Sequence, residues 1–272
     1  MIKKEFIEKN KGKDRIVGRP IRLNKVRLEV KPNKDYAELM AFGDWHYGHP
    51  QARDDKAKDM LNWCLKTNTS ILLMGDLIEA GISGSVGDSV YKQMLNPQGQ
   101  MDDMIEILQP LADKNLIKGL HSGNHEIRIT NATGIDIAKV MAKMLNVPYL
   151  GYACWNLIRV GNQKYQIYSQ HGSGSPRFKH SKLKKILDQM AWLRADLLLT
   201  GHFHSLDSNR TTIQEIDFKD KVVREKKCYA CITGSYIGYD KSYAQIKSYP
   251  PCEIGSPKIK LSAVKRRIYI SY

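Results

Sequence analysis

Seven metal-ligating side chains stand in five short, mostly glycine-containing motifs. They are Asp44 and His46 in Asp44-Trp45-His46, Asp76 in Gly75-Asp76, and Asn124 in Gly123-Asn124-His125-Glu126. His171 in His171-Gly172, with His202 and His204 in Gly201-His202-Phe203-His204, complete the set. Two carboxylates, an amide oxygen and four imidazoles make an oxygen and nitrogen donor set without thiolate. Such a set suits Mn²⁺, Fe or Zn²⁺ better than a soft sulfur site, and Ni²⁺ is compatible with it. In an extended chain residues i and i+2 point the same way, so Asp44 and His46 are expected to face one ion together. His202 and His204 are expected to reach two neighbouring ions. Two divalent ions carry more charge than Asp44 and Asp76 return, which favours a bound hydroxide and an anionic substrate. Ions ~3.5–4 Å apart can clamp the attacking and leaving oxygens of an in-line displacement.

A lone histidine is more often structural than ligating, and His121 and His180 are read that way. Five of the eight histidines, however, fall inside the motif set, each beside an Asp, Asn, Gly or second His. Trp45 and Tyr47 read as packing residues, and Glu79 reads as a solvated carboxylate. Cys228 and Cys231 form a C-x-x-C with no second pair. They read as residues of one strand, and the odd total of five cysteines argues for reduced thiols.

The motifs need elements to hold them. Apolar runs precede them at 37–42, 71–74 and 116–120, and helical spacing follows at 53–66, 101–114 and 135–145, the second interrupted at Pro110. Short strands alternating with amphipathic helices predict βαβ units and a largely parallel sheet. The second half changes character. Antiparallel strands are expected at 155–160, 164–168, 211–218, 222–232 and 263–271, with one helix over 181–192. The expected class is α/β (α+β), a two-sheet sandwich with helices outside. Motifs at the carboxyl ends of strands would then converge on one crevice. Residues 1–35 read as a basic N-terminal extension in which Ile21, Leu23 and 26–30 would allow one short strand, and 36–272 as a single domain. The C-terminal stretch is expected to close the second sheet. The Gly- and Ser-rich segment 80–100 is expected to form a mobile loop shaping access to the crevice.

The 272 residues include 43 Lys and Arg against 28 Asp and Glu, a formal net charge of +15. That balance favours polyanionic partners such as nucleic acid, although scattered surface lysines also serve solubility. No apolar run is long enough to span a bilayer, and the charged start lacks a secretory signal. A soluble, cytoplasmic protein is therefore expected.

The ordered set D-x-H, GD, GNHE, HG and GHxH resembles the calcineurin-like metallophosphoesterase superfamily, over about residues 37–205. The resemblance implies a four-layer sandwich and two ions, most often Mn²⁺. It would place Asp44, His46, Asp76 and His204 on the first ion and Asp76, Asn124, His171 and His202 on the second, with Asp76 bridging. His125 would stabilise the transition state or protonate the leaving oxygen. Glu126, where many relatives have Asp, would orient and acidify it. Ser122 stands where Ser/Thr protein phosphatases typically carry Arg, which argues against that branch. The implied activity is phosphate-ester hydrolysis by metal-bound hydroxide. The net charge favours a phosphodiesterase or nuclease on nucleic acid or nucleotides, with His49, Lys179 and Lys182 as phosphate contacts. The alternatives are a phosphomonoesterase on small molecules or proteins, and a non-catalytic metal-containing module that binds nucleic acid or protein.

Overall fold

The computed structural model describes residues 23–83, 85, 89–174 and 176–272. In chain order the strands are β1 (Leu23–Leu28), β2 (Tyr36–Phe42), β3 (Ser70–Leu73), β4 (Ile117–His121), β5 (Tyr149–Gly151), β6 (Ala153–Val160), β7 (Gln163–Gln170), β8 (Leu197–Thr200), β9 (Leu206–Asp217), β10 (Val222–Thr233), β11 (Lys258–Ser262) and β12 (Ile268–Ser271). The helices are α1 (Asp54–Thr67), α2 (Ser89–Lys92), α3 (Pro97–Asp113), α4 (Asn124–Thr133), α5 (Ile137–Met144), α6 (Lys179–Met190) and α7 (Tyr243–Ile246).

Two six-stranded sheets result. One runs β12-β11-β2-β3-β4-β5 and the other β1-β6-β7-β8-β10-β9. In the first, β2, β3, β4 and β5 are mutually parallel; in the second, β8 lies parallel to both β7 and β10. Strands buried on both faces read as continuous apolar runs, and β3 and β8 are buried throughout. Alternation within β2 divides its residues. Leu39 and Ala41 face the inter-sheet core with Ile158, Ile167 and Leu199, whereas Met40 and Phe42 face a second core built with Leu61, Met104 and Met141 of α1, α3 and α5. On the far side Ile186 of α6 packs over Leu198, Ala230 and Ile232. The order of layers is helix, sheet, sheet, helix, the two-sheet sandwich expected from the chain.

Three local expectations change. Helix α3 runs through Pro110, which is exposed and sits in its last turn, so the lost hydrogen bond to the carbonyl of Glu106 disturbs only the end of the helix. The C-terminal stretch forms two strands, and β11 pairs antiparallel with β2, placing it in the first sheet. Its Ile259 and Leu261 alternate with Lys258 and Lys260 and join the inter-sheet core. At the other end β1 pairs with β6 and inserts Val26 and Leu28 into the same core, so the layered structure already includes part of the segment read as an extension. Residues 1–22 of that extension lie outside the described residues, as do 84 and 86–88 of the Gly- and Ser-rich segment. What is described of the latter is tied down: Ala80 N–H donates to Gln100 Oε1 (2.8 Å), and Gly81 exchanges two hydrogen bonds with Gln93.

Cys228 and Cys231 are both buried free thiols within β10. Among the described residues no helix is long and apolar enough to cross a membrane.

Candidate metal centre

Each motif begins where a strand stops. Asp44 follows β2, Asp76 follows β3, Asn124 follows β4, His171 follows β7 and His202 follows β8. Parallel neighbours end on the same side, so all five loops meet at one edge of the sandwich. Packing there is tight enough to require glycine. A Cβ on Gly75 would stand 2.5 Å from Gly123 N, and one on Gly123 would collide with Asp76 Oδ1.

The backbone at the donors is not extended. Asp44, His46, Asp76, His202 and His204 all have positive φ, between 46° and 67°. Left-handed conformations of non-glycine residues are costly and persist where surrounding contacts fix them. The shared direction of Asp44 and His46 therefore comes from two left-handed residues rather than from strand alternation.

The hydrogen-bond inventory identifies which imidazole nitrogens carry protons. His171 Nδ1 lies 2.9 Å from Met74 O and His202 Nε2 lies 2.8 Å from Gly174 O. A carbonyl only accepts, so those nitrogens donate. His46 Nδ1 donates likewise to Glu79 Oε2 at 3.2 Å. The opposite nitrogens then point inward, to the place of an ion or, on His171, of a proton. His171 Nε2 faces Asn124 Oδ1 at 3.0 Å and Asp76 Oδ2 at 3.3 Å, and His202 Nδ1 faces the same Asn124 oxygen at 2.7 Å. His46 Nε2 lies 3.1 Å from His204 Nε2, which is 3.3 Å from Asp44 Oδ1. Acceptors facing acceptors need a positive charge between them. Donors sharing one ion at about 2.1 Å are separated by about 3.0–3.4 Å, and most of these spacings match. The set fits divalent cations. Fixing the outward nitrogen of a ligating histidine on a carbonyl or carboxylate is the usual support for such a ligand.

Asp76 joins the two groups. Its Oδ1 accepts the His125 backbone N–H at 2.8 Å, at the positive end of α4. Its Oδ2 lies 3.3 Å from His171 Nε2 and 3.8 Å from His46 Nε2. Asp44 accepts the His202 N–H with both oxygens at 3.0 Å. Burial opposes ionisation of Asp76, but the His171 and His125 charges outweigh it and hold the carboxyl well below its usual range. In return, the Asp76 carboxylate overcomes burial and lifts His171 to about 10. A proton thus competes for the place of a metal ion beside His171. Burial, helped by the His125 charge, pushes His46 down to about 4 and keeps it neutral.

His46, Glu79 and His125 form a third cluster of ligating atoms, but it does not fit an ion. His125 Nδ1 lies 2.8 Å from Glu79 O, so that nitrogen bears a hydrogen. Glu79 is 3% exposed, and its Oε2 stands 3.2 Å from His46 Nδ1 and 3.3 Å from His125 Nδ1. Glu79 fixes both rings, binding the His46 N–H with its carboxylate and the His125 N–H with its backbone carbonyl. Reading Glu79 as solvated is thereby corrected. The signal was an acid inside a wholly buried run, with Leu77, Ile78 and Ala80 around it.

Glu126 has a different task from the expected one. Its carboxylate accepts backbone N–H groups of Gly123 (2.8 Å), Asp76 (3.0 Å) and Leu77 (2.8 Å). It clasps the Asp76 loop to the start of α4, and no contact joins it to the His125 ring. Lys182 is likewise corrected. It is 6% exposed, and its Nζ donates to Ser205 Oγ at 2.7 Å, inside the molecule. The spacing 182, 186, 190 places it on the inward face of α6. Lys179 is exposed and paired with Asp207 at 3.6 Å. His49 is half-buried, accepts the Gln51 N–H at 3.1 Å, and is held below its usual pKa by burial. His121 bridges Gly151 O and Ser169 Oγ between the sheets, and His180 stacks on Phe178, so neither joins the cluster. Trp45 is fully buried and bonds Asp54, while Tyr47 bonds Asp103.

Arg128 was not singled out in the sequence. One turn beyond His125, it places Nη2 2.9 Å from His125 Nε2.

No protein-family model matches the chain, and no curated protein matches it. Solved structures with related architecture include Vps29 of Entamoeba histolytica complexed with Zn²⁺, at 16% identity and TM-score 0.38, covering 86% of this chain and 97% of that one. A conserved uncharacterised protein of Streptococcus pneumoniae, described as a predicted phosphoesterase, aligns at 11% identity and TM-score 0.39 over 86% and 88%. A hypothetical protein of Pyrococcus horikoshii aligns at 10% identity and TM-score 0.41 over 87% and 86%. The five motifs of the sequence meet at a single edge of a two-sheet sandwich.

Proposed function

We propose that the protein is a phosphodiesterase acting on nucleic acid or nucleotides, working with two divalent ions, Mn²⁺ first among them. The observation that carries this reading is the convergence of the inward nitrogens His171 Nε2 and His202 Nδ1 on Asn124 Oδ1, beside an Asp76 oxygen that also faces His46. Two donor groups meet at one carboxylate, as a paired centre requires. Bound there, the ions supply Lewis acidity toward a phosphoryl oxygen and lower the pKa of water.

The chain's own groups do the rest. Asp44, His46 and His204 define one half of the centre and Asn124, His171 and His202 the other, with Asp76 between. His125 turns Nε2 toward Asp76, 3.9 Å from its Oδ2, where it can stabilise the transferring phosphoryl group or hand a proton to the leaving oxygen. The Asp76 and Glu79 charges overcome burial and raise its proton affinity, which suits an acid. Glu79 holds its ring. His49 and Lys179 stand as rim contacts for substrate. The net charge of +15 favours a polyanion, and binding to one should fall steeply with salt.

The test is a panel of bis-p-nitrophenyl phosphate, p-nitrophenyl phosphate, cyclic nucleotides and single- and double-stranded DNA, each with Mn²⁺ and with chelator. Mn²⁺-dependent cleavage of the diester and of DNA is expected. Turnover of the monoester alone would make the protein a phosphomonoesterase. Wild type and Asp76→Ala equally inert, with both retaining a nucleic-acid or protein partner, would make it a binding module.

A further inference from the structure

The nitrogen of His125 that turns toward the crevice already has a partner. Arg128 Nη2 lies 2.9 Å from Nε2, while Nη1 lies 3.4 Å from Glu79 O. Guanidinium only donates, so Nε2 accepts here, and the His125 hydrogen resides on Nδ1, toward Glu79. Any substrate oxygen that meets His125 must take the position now held by Arg128.

A purely structural role for the arginine accounts poorly for this arrangement. The Glu79 carboxylate already binds the His46 N–H and lies 3.3 Å from His125 Nδ1, and Arg128 Nη1 meets its other oxygen at 3.7 Å, an ion pair without a hydrogen bond. The guanidinium bonds the His125 ring and a carbonyl and pairs with the Glu79 carboxylate at 3.7 Å, and among the described residues its remaining donors are open to another acceptor. It is 20% exposed and lines an open cavity of about 300 Å³ with Ile82, Ser83, Ser85, Asn131 and Ala132. Through Arg128 that cavity lies beside the His125 ring. Arginine presents a fixed fork of donors that matches two oxygens of one phosphate.

We propose that Arg128 is the phosphate-gripping residue on the leaving-group side, and that it occupies His125 Nε2 until a phosphoryl oxygen displaces it. The exchange makes access to His125 depend on an anionic group that can engage the arginine. This inference rests on the phosphoesterase reading but reads out separately from it.

The experiment is calorimetric titration of inorganic phosphate into the Mn²⁺-loaded wild type and Arg128→Ala and Arg128→Lys variants. Metal content, circular dichroism and steady-state kinetics on bis-p-nitrophenyl phosphate are measured alongside. Loss of a charge-assisted, two-point contact should weaken phosphate by about tenfold or more in Arg128→Ala. Arg128→Lys should restore only part, because it keeps the charge and loses the fork. KM should rise while Mn²⁺ content stays at the wild-type level, and added guanidinium should partly restore Arg128→Ala. Phosphate affinity within twofold of wild type in both variants overturns the proposal. So does phosphate weakened only in step with lost metal, which would show a structural tether. Should Arg128→Ala fail to fold, Arg128→Lys decides alone, with wild-type affinity and kinetics counting against the proposal. A wild type that binds phosphate through Arg128 yet cleaves no ester would retain this inference and remove the phosphodiesterase reading. Ester cleavage and phosphate binding indifferent to Arg128 would do the reverse.

Discussion

The two sheets contribute unequally to the centre. Loops after β2, β3 and β4 bring both carboxylates, the amide and one imidazole: Asp44, Asp76, Asn124 and His46. Loops after β7 and β8 bring imidazoles only, His171, His202 and His204. The first group is held by backbone amides, through the His202 and His125 N–H groups on the carboxylates and the Glu126 clasp. The second is held through its own ring N–H groups, one of which reaches across to Met74 O of the first sheet. One side supplies charge and the other supplies neutral donors that complete the shell. Metal affinity should therefore be far more sensitive to the first.

The largest effect is expected at the shared oxygen. Asp76→Ala should lower diester hydrolysis by about 10³-fold or more, since both halves lose a ligand and a charge. Elemental analysis should find metal content well below two per chain; a retained pair of ions would show that Asp76 does not bridge. Glu126→Ala tests the clasp. Leaving several buried N–H groups unpaired should cost about 3 kcal/mol, read by urea unfolding, with metal lost as a consequence. An unchanged midpoint would mean that the Asp76 loop holds itself. His202→Ala removes one neutral donor from the other sheet and should cost less, about 10–100-fold in metal affinity. A loss equal to that of Asp76→Ala would erase the asymmetry.

Acidity offers a subtler probe. With no ion bound, the Asp76 carboxylate raises His171 from 6.5 to about 10. A raised folded pKa gives stability that is fully present below the unfolded value and lost as pH rises through the folded one. The metal-free melting temperature should therefore fall between about pH 6.5 and 10, whereas Mn²⁺ loading should strengthen as pH rises through the same range and the proton leaves His171. Parallel pH trends in the two forms would show that proton and ion do not compete there. The smallest effect is expected far from the ions. Lys182→Met should shift stability by about 1 kcal/mol or less and leave KM unchanged; a raised KM would return Lys182 to the substrate.

Legibility followed the same division of labour. Donors that must sit at strand ends, next to glycines that the crowding of Gly75 and Gly123 explains, were readable as motifs, and apolar runs of four to seven residues revealed β2, β3 and β4. What escaped were partners chosen by three-dimensional proximity. Glu79 and Glu126 lie three residues after Asp76 and Gly123, yet neither spacing says which carboxylate turns to the His125 ring and which to backbone amides. That choice depends on the left-handed turn at Asp76. The placement of β11 beside β2 is a pairing between chain segments far apart, which alternation within Lys258–Ser262 cannot specify. Lys182 shows the reverse case, where helical spacing contained the inward direction but charge suggested the outward one.

The sequence separation of the donors bears on how the protein is made. His46 and His204 face each other across 158 positions, and β11, which flanks β2, comes later still. A ribosome releasing this chain exposes carboxylates early and the completing imidazoles late. A partly synthesised polypeptide therefore has the acidic side chains but not the imidazoles that face them, and any chemistry of the cluster must wait until both halves of the translation product have met.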